Sequence, residues 1–259
     1  MTFDKWLEDT LFRPMNVNNQ STIMVHSAFK QLSKQDVQIE SFCQFLQRYF
    51  FEGNVIMPTM TWRTVTPEKN TFDLRTTPSH TGVLSEIFRT QFATHRSLHP
   101  THSVSAWGKA AQVLTASHHL ASGPCSENSP YGIIENSDLL SNTYILCLGV
   151  ALESCTYIHH FEELFAPDIY LEDTKEAYTL IDHNAHNVEY LAQRHTKRVR
   201  DFHQFGLPLF QNKDLLLAQY GNCDITLVRA KALSKLIRTS FAISPMATLA
   251  HAAYQTELS

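Results

Sequence analysis

Residues 144–163 read YILCLGVALESCTYIHHFEE. The apolar run from Tyr144 predicts a buried strand closed by Gly149, and after a loop of small residues a helix begins near Cys155 or Thr156. On that helix Tyr157, Ile158, Phe161, Leu164 and Phe165 fall on one side at helical periodicity. Upstream, Thr22 to Ser27 sets Ile23 and Val25 against Met24 and His26, a strand pattern, and Val55-Ile56-Met57 is a short buried strand stopped by Pro58. Ser33 is placed to cap a helix whose stripe is Val37, Ile39, Phe42, Phe45, Leu46 and Tyr49. Thr77-Pro78 reads as the start of another, burying Val83, Leu84, Ile87 and Phe88. Phe3, Trp6, Leu7 and Leu11 form a short helical stripe; residues 187–192 and 225–228 read as strands, and 230–238 as a helix. Strands alternating with helices predict an α/β protein with a covered central sheet.

Composition bounds the function. The 259 residues are 43% apolar and 18% charged, and the Phe, Tyr and Trp content demands a core, which excludes disorder. A net charge of −4 does not suit a polyanionic partner, so no nucleic acid is expected. The longest apolar run, Tyr144 to Leu152, is about half of the roughly 20 residues a membrane span needs. The acidic N-terminal stretch does not read as a signal peptide. Five scattered cysteines without a C-x-x-C pair read as reduced thiols, and a cytoplasmic protein is expected. No G-x-G-x-x-G or G-x-x-x-x-G-K occurs, which disfavours a dinucleotide or P-loop site.

Opposite the apolar side of the 155–165 helix lies His159, with Cys155, Thr156, Glu162 and Glu163 within about 60° of it. A carboxylate three or four residues from a histidine can fix its tautomer and stabilise the imidazolium, and the carboxyl end of a strand is where open α/β sheets bind ligands. The same residues allow other readings: a solvated polar face, a Cys155 nucleophile activated by His159, or His159 and Glu162 as metal ligands with His183 and His186 or with His99 and His102. The last two define a Cys- or metal-dependent amidohydrolase as the competing class. A second region, residues 96–108 (RSLHPTHSVSAWG), is rich in small hydroxylated side chains, suiting either a narrow slot for an extended polar ligand or a structured turn. Between Glu162 and Glu189 eight acids accompany one base, Lys175; between Leu191 and Arg200 four bases occur without an acid. Both runs read as solvated surface, or the acids as the lining of a cavity for a cationic acceptor.

Taken in order, residues 24–30 (MVHSAFK), 55–62 (VIMPTMTW), 72–89 (FDLRTTPSHTGVLSEIFR), 96–108, Ser129-Pro130, Leu148-Gly149-Val150 and the Thr156-x-x-His159-x-x-Glu162 helix resemble the aminoglycoside N3-acetyltransferase family, from about residue 22 to the C-terminal helix. The resemblance implies a three-layer α/β fold with a mixed central sheet, a single domain over 1–259, and acetyl-CoA as co-substrate without a metal. It implies a catalytic His159, assisted by Glu162 and Thr156, and coenzyme contacts from His26, Ser27, Thr59, Arg75, Arg96, Ser97, His99 and Ser103. The partner implied is a small-molecule amine, with residues 165–259 shaping its pocket. Here Cys155, Thr156 and Tyr157 stand where the aminoglycoside branch commonly has Asn-Thr-Thr, and Ala28 follows His26-Ser27 in place of a second serine. These departures bear on the acceptor. A CoA-binding homologue without activity is the other alternative, and Glu163 or Asp201 could replace Glu162 beside His159.

Overall fold

The structure, a computed structural model, describes residues 1–250. Its strands are β1 (Thr22–Ser27), β2 (Asn54–Pro58), β3 (Thr71–Asp73), β4 (His95–Arg96), β5 (Val104–Gly108), β6 (Thr143–Leu148), β7 (Leu171–Ile181), β8 (Asn187–His195), β9 (Leu215–Tyr220) and β10 (Cys223–Arg229). Seven of them form the main sheet, in the order β4-β5-β2-β1-β6-β10-β9. The central strands β2, β1 and β6 are parallel, and β4, β5, β9 and β10 add antiparallel flanks, so the sheet is mixed.

Strict alternation gives each central strand two buried faces. Ile23, Val25, Tyr144, Leu146 and Leu148 face a core shared with the helices Phe3–Leu7, Ile39–Tyr49 and Val83–Ile87. Met24, Ile145 and Cys147 face the opposite core, with the helices Pro130–Glu135, Tyr157–Phe165 and Ala230–Ile243. Three layers result. His26 falls in the alternation on the same face as Met24, which is also the face of the Tyr157–Phe165 helix. Gly149 ends β6 with φ of +65°, a left-handed conformation, and a Cβ there would meet the Ala28 carbonyl at 3.0 Å.

Two sequence expectations shift, and a second sheet is added. The long helix begins at Ile39, not beside Ser33, which ends a separate turn of helix (Lys30–Ser33). Thr77-Pro78 does not open a helix, because Asp73 accepts from the Arg75 and Thr76 amides while Thr77 Oγ1 accepts from the Asp73 amide, closing a turn; the helix starts at Val83 after Gly82. The 187–192 strand does not join the main sheet. It lies in a second, three-stranded sheet of β3, β7 and β8, with its own small core of Phe72, Tyr178 and Leu180. Among the described residues no helix is long and apolar enough to cross a membrane.

Candidate active site

A cavity of about 880 Å³ opens beside the carboxyl ends of β1, β2 and β6 and is closed on the far side by the segment leaving β8. His26, Ser27, Thr156 and His159 line it. The Tyr157–Phe165 helix carries His159 to the wall. Its first turn is anchored by the Tyr157 hydroxyl, which donates to the buried carboxylate of Glu135. Ser234 and Arg238 of the C-terminal helix donate to that same carboxylate at 2.6–2.8 Å.

His159 Nδ1 lies 2.7 Å from Glu162 Oε2. Glu162 is completely buried, so the solvated-face reading fails. Its carboxylate also accepts from Arg200 Nε at 3.3 Å and from the Thr248 hydroxyl at 2.5 Å. Burial works against its charge, but His159, Arg200 and Thr248 together outweigh burial and hold the carboxyl below the usual range. An ionised Glu162 requires the proton on Nδ1, which leaves the lone pair on Nε2. The imidazole is clamped between the His195 ring, stacked at 4.6 Å, and the edge of Phe202 at 5.2 Å.

The choice among carboxylates is decided. Glu163 turns to His195 Nε2 (2.8 Å) and accepts from the Cys125 amide (2.6 Å). Burial pushes the Glu163 carboxyl well up and the His195 imidazole well down. Asp201 uses its backbone to bind Thr248 and Gln204 and does not line the cavity.

Arg96, Ser97, His99, Ser103, Thr59 and Arg75 do not line the cavity. Arg96 directs its guanidinium to Ser103 Oγ and to the carbonyls of Leu74, Thr77 and Thr59, over the Phe72 ring. Ser97 bonds His118, Ser103 donates to the Thr59 carbonyl, and His99 Nδ1 accepts from the Thr101 and His102 amides. Exposed Arg75 sits near Asp73. Arg96 ties the β3 segment to the main sheet; from the 96–108 segment only Thr101 and His102 reach the cavity. The acid run is not a lining either: Glu162 and Glu163 are sealed behind the wall, the later acids lie on or beside β7 and β8, and Glu153 is the one carboxylate among the described lining residues.

The rival chemistries lack their parts. Cys155 is fully buried in the core and burial pushes its thiol up to about 12, although the Ile158 and Tyr157 amides favour the thiolate. His183 and His186 lie in the turn between β7 and β8, off the cavity, where His186 faces Asp182. Cys125, Glu163 and His195, which are not among the ligand sets the sequence suggests, bring one ligand atom each within 4.8 Å of one another. His195, Arg200 and Thr248 escaped sequence reasoning; the first two lie in the basic 191–200 run, whose turn into the cavity had no local signal.

Buried neutral histidines make a prediction about stability. Burial lowers His26 and His118 to about 4. Their unfolded forms titrate near 6.5, so between these values the unfolded chain binds more protons. Their contribution is complete above about pH 6.5 and falls by about 1.4 kcal/mol per pH unit for each residue as pH drops toward 4. Thermal unfolding followed between pH 7.5 and 4.5 should show Tm falling below pH 6.5; a flat Tm would contradict neutral burial.

Fold and site define an α/β protein with a carboxylate-oriented imidazole at the wall of a cavity at the ends of parallel strands. The chain belongs to the aminoglycoside 3-N-acetyltransferase family, whose sequence profile matches residues 24–242. It is 30% identical over 109 residues to the SPbeta prophage-derived aminoglycoside N(3')-acetyltransferase-like protein YokD of Bacillus subtilis (strain 168), a match covering 41% of this chain and 38% of that protein. The fold is that of the crystallised aminoglycoside acetyltransferase AAC(3)-IVa in complex with a gentamicin, with TM-score 0.77, 20% identity, and 98% of this chain and 95% of that one covered. It is also that of AAC-IIIb in its binary complex with CoASH, with TM-score 0.72, 20% identity, and coverage of 92% and 95%.

Proposed function

We propose that the protein transfers an acetyl group from acetyl-CoA to a primary amine of an aminoglycoside, an amino sugar or a related amine metabolite, with His159 as general base. The observation that carries this reading is the His159–Glu162 hydrogen bond, which leaves Nε2 basic at the cavity wall. Family membership and the CoASH complex of the structural neighbour support the donor. Residues of this chain fit it as well: His26 Nε2, Ser27 Oγ and both His80 ring nitrogens are buried along the cavity without partners among the described residues, as groups awaiting a polar ligand would be. Acetyl-CoA, when bound, supplies an acetyl thioester.

The chain's own residues do the rest. An ammonium has no lone pair, so His159 Nε2 takes its proton and the neutral amine attacks. Glu162 stabilises the resulting imidazolium, which gives its proton to the thiolate as the C–S bond breaks, while the second proton that the nitrogen sheds on becoming an amide passes to solvent. The Thr156 hydroxyl serves as donor to the carbonyl oxygen where negative charge develops. Residues 194–200 wall the acceptor side.

No acyl-enzyme is needed. Initial rates against both substrates should give intersecting double-reciprocal lines, and Cys155→Ser should retain at least about half of turnover, since a buried thiol takes no part. Parallel lines, or a trapped acyl-thiol, would overturn this mechanism in favour of a nucleophilic cysteine.

A further inference from the structure

The cavity is cationic where the acceptor must stand. Among the described residues lining it are Arg63, Arg194, Lys197, Arg200 and a single carboxylate, Glu153, which faces His203 at 3.3 Å. Arg194 is paired with Glu176 and Arg200 with Glu162. Lys197 has no hydrogen bond or ion pair among the described residues, and Arg63 has only the Trp62 ring. Arg200 Nη2 is buried without a partner among the described residues, although the residue borders the cavity.

Position separates these charges from the donor's phosphates. The strip 194–200 lies at the imidazole itself: His195 stacks on His159, and Arg200 bonds the carboxylate that orients it. In acetyl-CoA the thioester is divided from the phosphates by the neutral pantetheine arm. With the thioester at His159, the donor therefore brings no anion to the strip, and the charges there face the acceptor. A sugar carrying several ammonium groups would meet like charge and one already engaged carboxylate, an arrangement that costs affinity.

We infer, on the basis of the acetyltransferase reading above, that the acceptor is a monoamine bearing a phosphate or carboxylate group, of the anionic amino-sugar type, and not a polyamine sugar. The amine reaches His159 while the anion meets Lys197 and the free edge of Arg200.

The test is thioester consumption by the full chain with four acceptors: glucosamine 6-phosphate, muramic acid, glucosamine and kanamycin. The expected kcat/KM with one of the two anionic amino sugars exceeds that with kanamycin by about tenfold or more, and Lys197→Glu shifts that ratio toward kanamycin by about tenfold. Kanamycin turned over as well as or better than both anionic sugars overturns the inference and leaves the transferase standing. So does an unchanged ratio in the Lys197→Glu protein. Absence of turnover with all four while acetyl-CoA still raises Tm also counts against the anionic acceptor. Absence of both turnover and stabilisation by acetyl-CoA overturns the transferase reading beneath it.

Discussion

Replacing His159 with alanine is expected to reduce turnover by about 10²–10⁴-fold, the usual worth of a positioned general base. The fold should survive, because the ring lines the cavity and its removal leaves space open to water, not a sealed void. Loss should fall on kcat, with KM for acetyl-CoA little changed, since His159 meets the proton in flight and not the donor's far end. Far-ultraviolet circular dichroism and Tm establish the fold; steady-state rates establish the loss. A variant keeping more than about a tenth of normal turnover would remove His159 from the mechanism.

The second large effect belongs to Glu162, and its two variants separate chemistry from stability. In Glu162→Ala, Arg200 loses its counter-charge in a largely buried position and Thr248 loses its acceptor. Stripping one partner from a buried ion pair costs about 3–5 kcal/mol, enough to lower Tm sharply or prevent folding. Glu162→Gln also removes the counter-charge of Arg200, but it keeps shape, volume and a carbonyl oxygen that accepts from Arg200 and Thr248. Its amide can donate to His159 Nδ1 and so stabilise the tautomer protonated at Nε2, which is no base toward the cavity. This variant is expected to remain folded yet lose about 10²–10³-fold in kcat. Equal activity of Glu162→Gln and the parent would mean that the carboxylate only supports Arg200.

What the chain revealed in advance follows how local each interaction is. β1, β2 and β6 were readable because alternation of Ile23 with Met24, or of Tyr144 with Ile145, is written in neighbouring residues. That His159 has a carboxylate three or four positions away on its helix is legible for the same reason, but the choice of Glu162 over Glu163 depends on Arg200, Thr248 and His195, which lie far along the chain. The 96–108 segment was not: Ser97, Ser103 and Arg96 have the composition of a ligand slot, but their partners are Thr59, Leu74, Thr77 and His118. Composition cannot say whether a hydroxyl faces a guest or its own backbone. Thr77-Pro78 misled similarly, because the Asp73 turn captures the amides that a helix start would leave free. The stacking of His195 on His159 joins two different sheets' territories and leaves no trace in either segment alone.

That the imidazole rides on the large sheet's helix while the basic strip descends from the small sheet has an evolutionary corollary. On the cavity side Arg194 and Lys197 can change while His195 and Arg200 of the same segment stay to hold the imidazole and its carboxylate. Exchanging only those two side chains between homologues should therefore shift substrate preference while the reaction stays constant, so that lineages sharing one chemistry can diverge by redecorating the outer part of one wall.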